Sequence, residues 1–280
     1  MQQTVPVSLA LGGGGARGLA HIVVLEALDD LAIKPVEIAG TSIGAILGAG
    51  YAGGLSGKEI RDAVLALFSK RSKTAQLFWQ MRGKRVLPRL SFTDFDPSVV
   101  LETFVGDLIP AKFEDLQIPM TVVATDFYGW SERVFQSGDL HQAVAASFAI
   151  PVLFSPVRVD GRILVDGGFV NPLPFDHLCA DNMCVAVDVT GGPKAPAMEN
   201  DRQQAPMPAM REMIFGVTQL LMQSIAAEKL KSRRPDILFR PQIEEFGVLE
   251  FMKAKDILQA ADRDRDIIKR SISDKLENMR

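Results

Sequence analysis

Apolar residues along this chain fall into two alternating rhythms. Short runs rich in Val, Ile, Leu and Phe read as strands: VPVSLAL (Val5–Leu11), the stretch around Val36–Ala39, PMTVVATDF (Pro119–Phe127), RILVDGGF, CVAVDVT and DILFRP. Between them lie segments of helical period. GLAHIVVLEALDDL places Leu19, Ile22, Val23, Leu25 and Leu28 near helical spacing, and IGAILGAGYAGG is a run of small residues suited to close packing on a sheet. Met213, Ile214, Val217, Leu220, Leu221 and Ile225 mark one face of a later helix, expected to pack on the sheet. Residues 255–280 read as a charged, solvated C-terminal helix. Strands alternating with helices predict an α/β fold with a mainly parallel sheet. The chain shows no internal repeat and no heptads. Its one flexible stretch, residues 191–210 with four prolines, reads as a surface loop inside a single domain spanning 1–280.

Composition narrows the classes. The 280 residues are 47% hydrophobic with a net charge of −3, which suits a globular core and gives no reason to expect nucleic acid. Cys179 and Cys184 lack a second pair for zinc and read as two small buried hydrophobes, so no metal is expected. The opening MQQTVPVSLALGGGG lacks the basic region of a signal peptide, and no apolar run reaches membrane-spanning length. A cytoplasmic protein is expected. Charge is unevenly spread, however. Residues 63–93 contain no Asp or Glu but carry Lys70, Arg71, Lys73, Arg82, Lys84, Arg85 and Arg89, interleaved with Phe68, Phe78 and Trp79. Basic residues among aromatics suit peripheral contact with an anionic membrane through 70–89, and a merely solvated helical hairpin is the competing reading.

Three stretches carry candidate chemistry. Gly12–Gly15 opens a loop directly after the first strand. Its G-x-G-x-x-G pattern (Gly13, Gly15, Gly18) is a weak dinucleotide signal, and no Gly-Lys-Ser/Thr follows to make a P-loop. Gly40-Thr41-Ser42-Ile43-Gly44 is a G-x-S-x-G between a strand and a helix, the setting of a nucleophile elbow. There Gly40 and Gly44 let the flanking segments approach, and the helix aims its first amide, that of Ile43, at the reacting oxygen. The competing reading is a serine that only caps the helix. The glycine run presents further amides to an oxyanion. Asp166-Gly167-Gly168, at a strand end, offers a general base for Ser42 or an ordinary turn. Of His21, His141 and His177, only His177 follows Asp166 in the order an α/β-hydrolase triad requires, and the elbow comes too early in the chain for that fold.

Taken together, GGGARG (Gly13–Gly18), GTSIGA (Gly40–Ala45), ASFAIPVLFSPV (Ala146–Val157) and LVDGGFVNPLP (Leu164–Pro174) resemble the patatin-like phospholipase family, in order and spacing, over about the first 190 residues. The resemblance implies a three-layer α/β/α fold with its catalytic motifs within 9–175. It implies a Ser–Asp dyad without histidine, metal or cofactor, acting on lipid acyl esters. On that pattern Ser42 is the nucleophile, Asp166 the base, and Gly13, Gly14 and Gly15 the oxyanion donors; Arg17 takes the motif's basic position, with a loop-orienting role. Phe148 departs from it, since the family usually has a small residue after the Ala-Ser pair. Acyl transfer, thioester hydrolysis and a non-catalytic regulator are the alternatives on the same fold.

Overall fold

The computed structural model describes residues 5–69, 95–192 and 207–279. The basic stretch 70–89 and most of the proline-rich segment, residues 193–206, lie outside them. The first apolar runs form β1 (Val7–Leu11) and β2 (Glu37–Thr41), each followed by a helix, α1 (His21–Asp30) and α2 (Ile43–Ala52). Then come α3 (Gly57–Leu67), α4 (Pro97–Val105), β3 (Met120–Asp126), β4 (Ser131–Phe135) and α5 (Leu140–Ser147). A hairpin, β5 (Val157–Val159) and β6 (Arg162–Asp166), precedes β7 (Met183–Val187). The chain closes with α6 (Met210–Ser232), β8 (Ile237–Phe239), α7 (Ala254–Asp262) and α8 (Arg265–Asn278).

The strands form one sheet in the order β5-β6-β3-β2-β1-β7-β8, with β4 also on β3. It is mixed. β3-β2-β1-β7-β8 are parallel, whereas β4 and β6 run antiparallel to β3, and β5 antiparallel to β6. The expected mainly parallel sheet is thus present in five of the eight strands, and the antiparallel ladders gather at β3 and beyond it. The polar SERVF and the three-residue VRV escaped the apolar pattern, and both arrive by hairpins.

The register across β3 is central to the site. β2 pairs with β3 up to Thr41↔Val123, β6 pairs with it from Ala124↔Asp166, and β4 occupies the other edge along both stretches. A strand has only two edges, so β2 and β6 lie end to end on one of them, running toward each other. Their tips meet between Val123 and Ala124.

Alternation along the strands sorts two cores. Leu9, Leu11 and Ile38 face the larger one with α1, α2 and α3. Ala10, Ala39, Cys184 and Ala186 face the other, against Leu173, Phe175, Leu178 and Leu230 of α6. Helices thus cover both sheet faces. Cys184 is buried as expected, but Cys179 is exposed.

Two helical expectations change. The stripe Met213, Ile214, Val217, Leu220 and Leu221 does not pack on the sheet; these residues are 38–56% exposed. Helix α6 docks instead through the neighbouring face, where Gly216, Gln219 and Ala226 are buried and Lys229 pairs with Glu132 and Asp176. The described part of the expected C-terminal helix 255–280, up to residue 279, holds two helices rather than one solvated helix. Ile257, Leu258, Ala261, Ile268 and Ile272 are buried, and between the helices Asp264 accepts the Gln242 amide. Arg61 of α3 clamps this end to the core, donating to both Glu26 and Asp262.

Candidate active site

Ser42 sits at the abrupt turn from β2 into α2 with φ 56° and ψ −122°, a conformation costing a non-glycine residue about 1–3 kcal/mol. The surroundings hold it there. A Cβ on Gly40 would lie 2.8 Å from Ala45 Cα, and one on Gly44 would lie 2.1 Å from the Leu11 carbonyl oxygen. Strand, turn and helix therefore close to a distance that side chains at these positions would prevent.

The Ser42 hydroxyl donates to Asp166 Oδ2 at 2.7 Å. Asp166 reaches it from the tip of β6, and its other oxygen accepts the Gly168 amide at 2.7 Å. Both residues are buried, 3% and 4% exposed. Burial pushes the Asp166 carboxyl up to about 6, against the lowering by its bonds from Ser42 and Gly168. Gly167 lies against β3, where a Cβ would stand 2.1 Å from the Val123 carbonyl oxygen. Thr125 Oγ1 donates to the Asp166 carbonyl and Thr41 Oγ1 to that of Asn171, stitching the two strand ends together.

The glycine loop flanks Ser42 from β1. Gly13 faces it, since a Cβ there would lie 3.4 Å from Ser42 Cβ. Its amide is committed elsewhere, donating to the Pro172 carbonyl at 2.9 Å, contrary to the expectation that it serves an oxyanion. The amides of Gly14, Gly15 and Ile43 have no acceptor among the described residues. Gly18 seats this loop on the elbow, because a Cβ would meet Ile43 Cγ2 at 2.1 Å.

Arg17 is 2% exposed and donates to three carbonyls, Phe246, Thr190 and Gly192. Burial lowers its pKa, opposed by the charges of Glu244 and Glu250. With the Ala16 amide on Val248, it ties the loop to the segments after β7 and β8.

None of the histidines bonds to Ser42 or Asp166. His21 is fully buried, donates from Nε2 to the Gly12 carbonyl, and is held near pKa 4 by burial. His141 meets the Ile109 carbonyl. His177 bonds to Glu132 at 2.6 Å. Glu132, Asp176 and His177 are close enough together to suit a metal, but the Lys229 ammonium already bridges the two carboxylates at 2.8 and 2.6 Å. Burial would raise Glu132, yet the bonds from His177 and Lys229 hold it at about 2.

Pattern reading missed Met222. It follows the exposed stripe of α6 by one residue, and its Cε lies where a Cβ on Gly13 or Gly168 would come within 3.4 or 2.6 Å. It therefore lies near both Ser42 and Asp166, and only a long-range packing signal could have shown it. Phe148 packs edge-on against Phe154.

Residues 9–178 match the family model for patatin-like phospholipases. An uncharacterized NTE family protein of Mycobacterium tuberculosis is 36% identical over 197 residues, covering 69% of this chain and 51% of the relative. Lysophospholipase nte1 of Aspergillus fumigatus is 29% identical over 277 residues, covering 90% of this chain and 17% of that protein. The chain thus spans about half or less of these relatives' lengths. Among solved structures, VipD from Legionella pneumophila superposes with a TM-score of 0.50 at 14% identity, over 96% of this chain and 67% of that one. That likeness concerns the fold alone. The family match covers every element that builds the elbow, the glycine loop and the strand bearing Asp166, and on that match the chain belongs to the patatin-like phospholipase family.

Proposed function

We propose that the protein is a serine hydrolase of lipid acyl esters working through a Ser42–Asp166 dyad. One observation carries the reading: the hydroxyl of a strained elbow serine donates to a buried carboxylate 2.7 Å away. Asp166 takes the proton as Ser42 Oγ attacks the ester carbonyl. The oxyanion forms against the amides of Gly14, Gly15 and Ile43. The alcohol or lysolipid leaves with the proton from Asp166. Water, deprotonated in turn by Asp166, then releases the fatty acid from Ser42. A fluorophosphonate probe tests the reading by mass mapping: the adduct is expected on Ser42, and an adduct elsewhere would overturn it.

The base must be ionised to act. Below about pH 6 the Asp166 carboxyl holds its proton, so kcat/KM on a soluble ester is expected to fall tenfold per pH unit on the acid side of that value. A limb near pH 4 in a pH–rate profile would show a carboxyl unaffected by burial.

A lipid substrate also gives the exposed apolar surface a use. The α6 stripe adjoins Met222, which lies near Ser42 and Asp166, and the β3–β4 turn exposes Phe127, Tyr128 and Trp130 by 54%, 75% and 90%. No helix among the described residues is long and apolar enough to cross a membrane, so any contact of these helices with lipid is at its surface. Each large aliphatic side chain transferred from water is worth about 1.5–3 kcal/mol. Val217→Ser with Leu220→Ser and Leu221→Ser is therefore expected to lower hydrolysis of vesicle-borne lysophospholipid at least about tenfold. Hydrolysis of a short-chain soluble ester should be unchanged, and equal losses on both substrates would count against the interfacial role.

A further inference from the structure

The Ser42 amide hydrogen, turned out of both β2 and α2 by the strained elbow, is buried and needs an acceptor. It finds one in a side chain 105 residues away: Ser42 N donates to Ser147 Oγ at 2.8 Å. Ser147 is the last residue of α5 and is 0% exposed. Its own hydroxyl proton goes to the Val123 carbonyl at 2.6 Å, so its orientation is fixed at both ends. Val123 is the β3 residue at which β2 ends, next to Ala124, where β6 ends from the opposite direction. Two residues beyond Ser147, the Ala149 carbonyl accepts the amide of Asp166 at 3.1 Å. One short turn therefore holds the backbone of nucleophile and base alike.

We propose that Ser147 is a positioning residue for the reaction, setting the Ser42 backbone so that Oγ stands within reach of Asp166 and of the substrate carbonyl. The inference rests on the Ser42–Asp166 reading and assigns a function to a serine that touches neither substrate nor reacting atoms. A hydroxyl suits the place because only a group that accepts and donates at once can serve the Ser42 amide and the Val123 carbonyl, both on buried residues. Alanine would strip the Ser42 amide of this acceptor and release the elbow from its side-chain restraint there.

The test compares Ser147→Ala and Ser147→Cys with wild type on a soluble ester, with rates expressed per nucleophile titrated by a fluorophosphonate, and Ser42→Ala with its rate expressed per mole of protein. That normalisation removes any protein that fails to fold. Ser147→Ala is expected to lower kcat about tenfold to a hundredfold with KM within about twofold, since misplacing a reacting group by about 1 Å costs up to about 10²-fold. The thiol of Ser147→Cys has nearly the serine's shape but accepts and donates weakly, so it should fall between wild type and alanine at a near wild-type melting temperature. A wild-type kcat per titrated site in Ser147→Ala, with only the melting temperature lowered, would overturn the proposal and leave Ser147 a packing residue. If Ser42→Ala also hydrolyses the ester at the wild-type rate, the dyad reading itself fails and the positioning role falls with it.

Discussion

Ser42→Ala is expected to lower ester hydrolysis by about 10⁴-fold or more, because on the proposed dyad the acyl group is carried on its Oγ. Asp166→Asn should lose about 10²–10⁴-fold, the usual worth of a general base. The asparagine can still accept the Gly168 amide, so the turn survives, but its NH₂ would face Ser42 Oγ as a donor and no group would remove the proton. The same substitution should make the protein more stable. The folded carboxyl, at about 6, lies above the ordinary 3.8, so the folded state binds the proton more tightly and stability is lost as pH rises from 3.8 through 6. Above pH 6 the full cost stands, about 3 kcal/mol at 1.36 kcal/mol per unit. Asparagine avoids it. At pH 8 Asp166→Asn is therefore expected to melt higher than wild type, with the gap closing toward pH 4. His21, held near 4, works in the opposite sense, losing stability as pH falls from 6.5 toward 4. It is common to both proteins and cancels in the difference. Equal melting temperatures at pH 8 would mean that Asp166 ionises without strain.

Arg17→Met should be the most damaging change outside the dyad. The methionine fills much of the arginine's volume but leaves the carbonyls of Phe246, Thr190 and Gly192 without their donor. Buried acceptors stripped of a charged donor cost about 3–5 kcal/mol, a fall of roughly 6–15 °C in melting temperature for a chain of this size. Activity should fall further than stability alone explains. Gly14 and Gly15 directly precede the turn that Arg17 anchors, and loss of one oxyanion donor is worth about 10²–10³-fold. Arg17→Lys keeps the charge but not the planar fork spanning three carbonyls, so only partial recovery is expected. Calorimetry and kcat on a soluble ester check both halves, and a lysine variant as stable and active as wild type would reduce the guanidinium to a charge.

Much of this was legible in the residues, and the gaps have physical causes. Strands buried on both faces announce themselves as apolar runs, so β1, β3 and β7 were visible; β4 was not, because SERVF is polar and half exposed. Helical spacing shows which residues of α6 share a face but not whether anything covers it, and the stripe from Met213 to Leu221 turned out to face solvent. The elbow was readable from Gly40 and Gly44 because close approach excludes side chains locally. That the Gly13 amide is taken by Pro172, far along the chain, has no local signature. The role of Asp166 was open on its own turn and became specific only beside the family pattern.

The end-to-end meeting of β2 and β6 on β3 has a consequence for the chain as it is made. Ser42 and its elbow lie in the first β-α units, but Asp166 joins them only after the β5–β6 hairpin has been added, 124 residues later. A ribosome-bound chain stopped short of β6 would carry the nucleophile and the glycine loop with no base to activate them. Such intermediates should be inert toward fluorophosphonate, and reactivity should appear in one step when the second strand tip seats against the first. On the proposed dyad, hydrolytic activity would in this sense be a late event in folding.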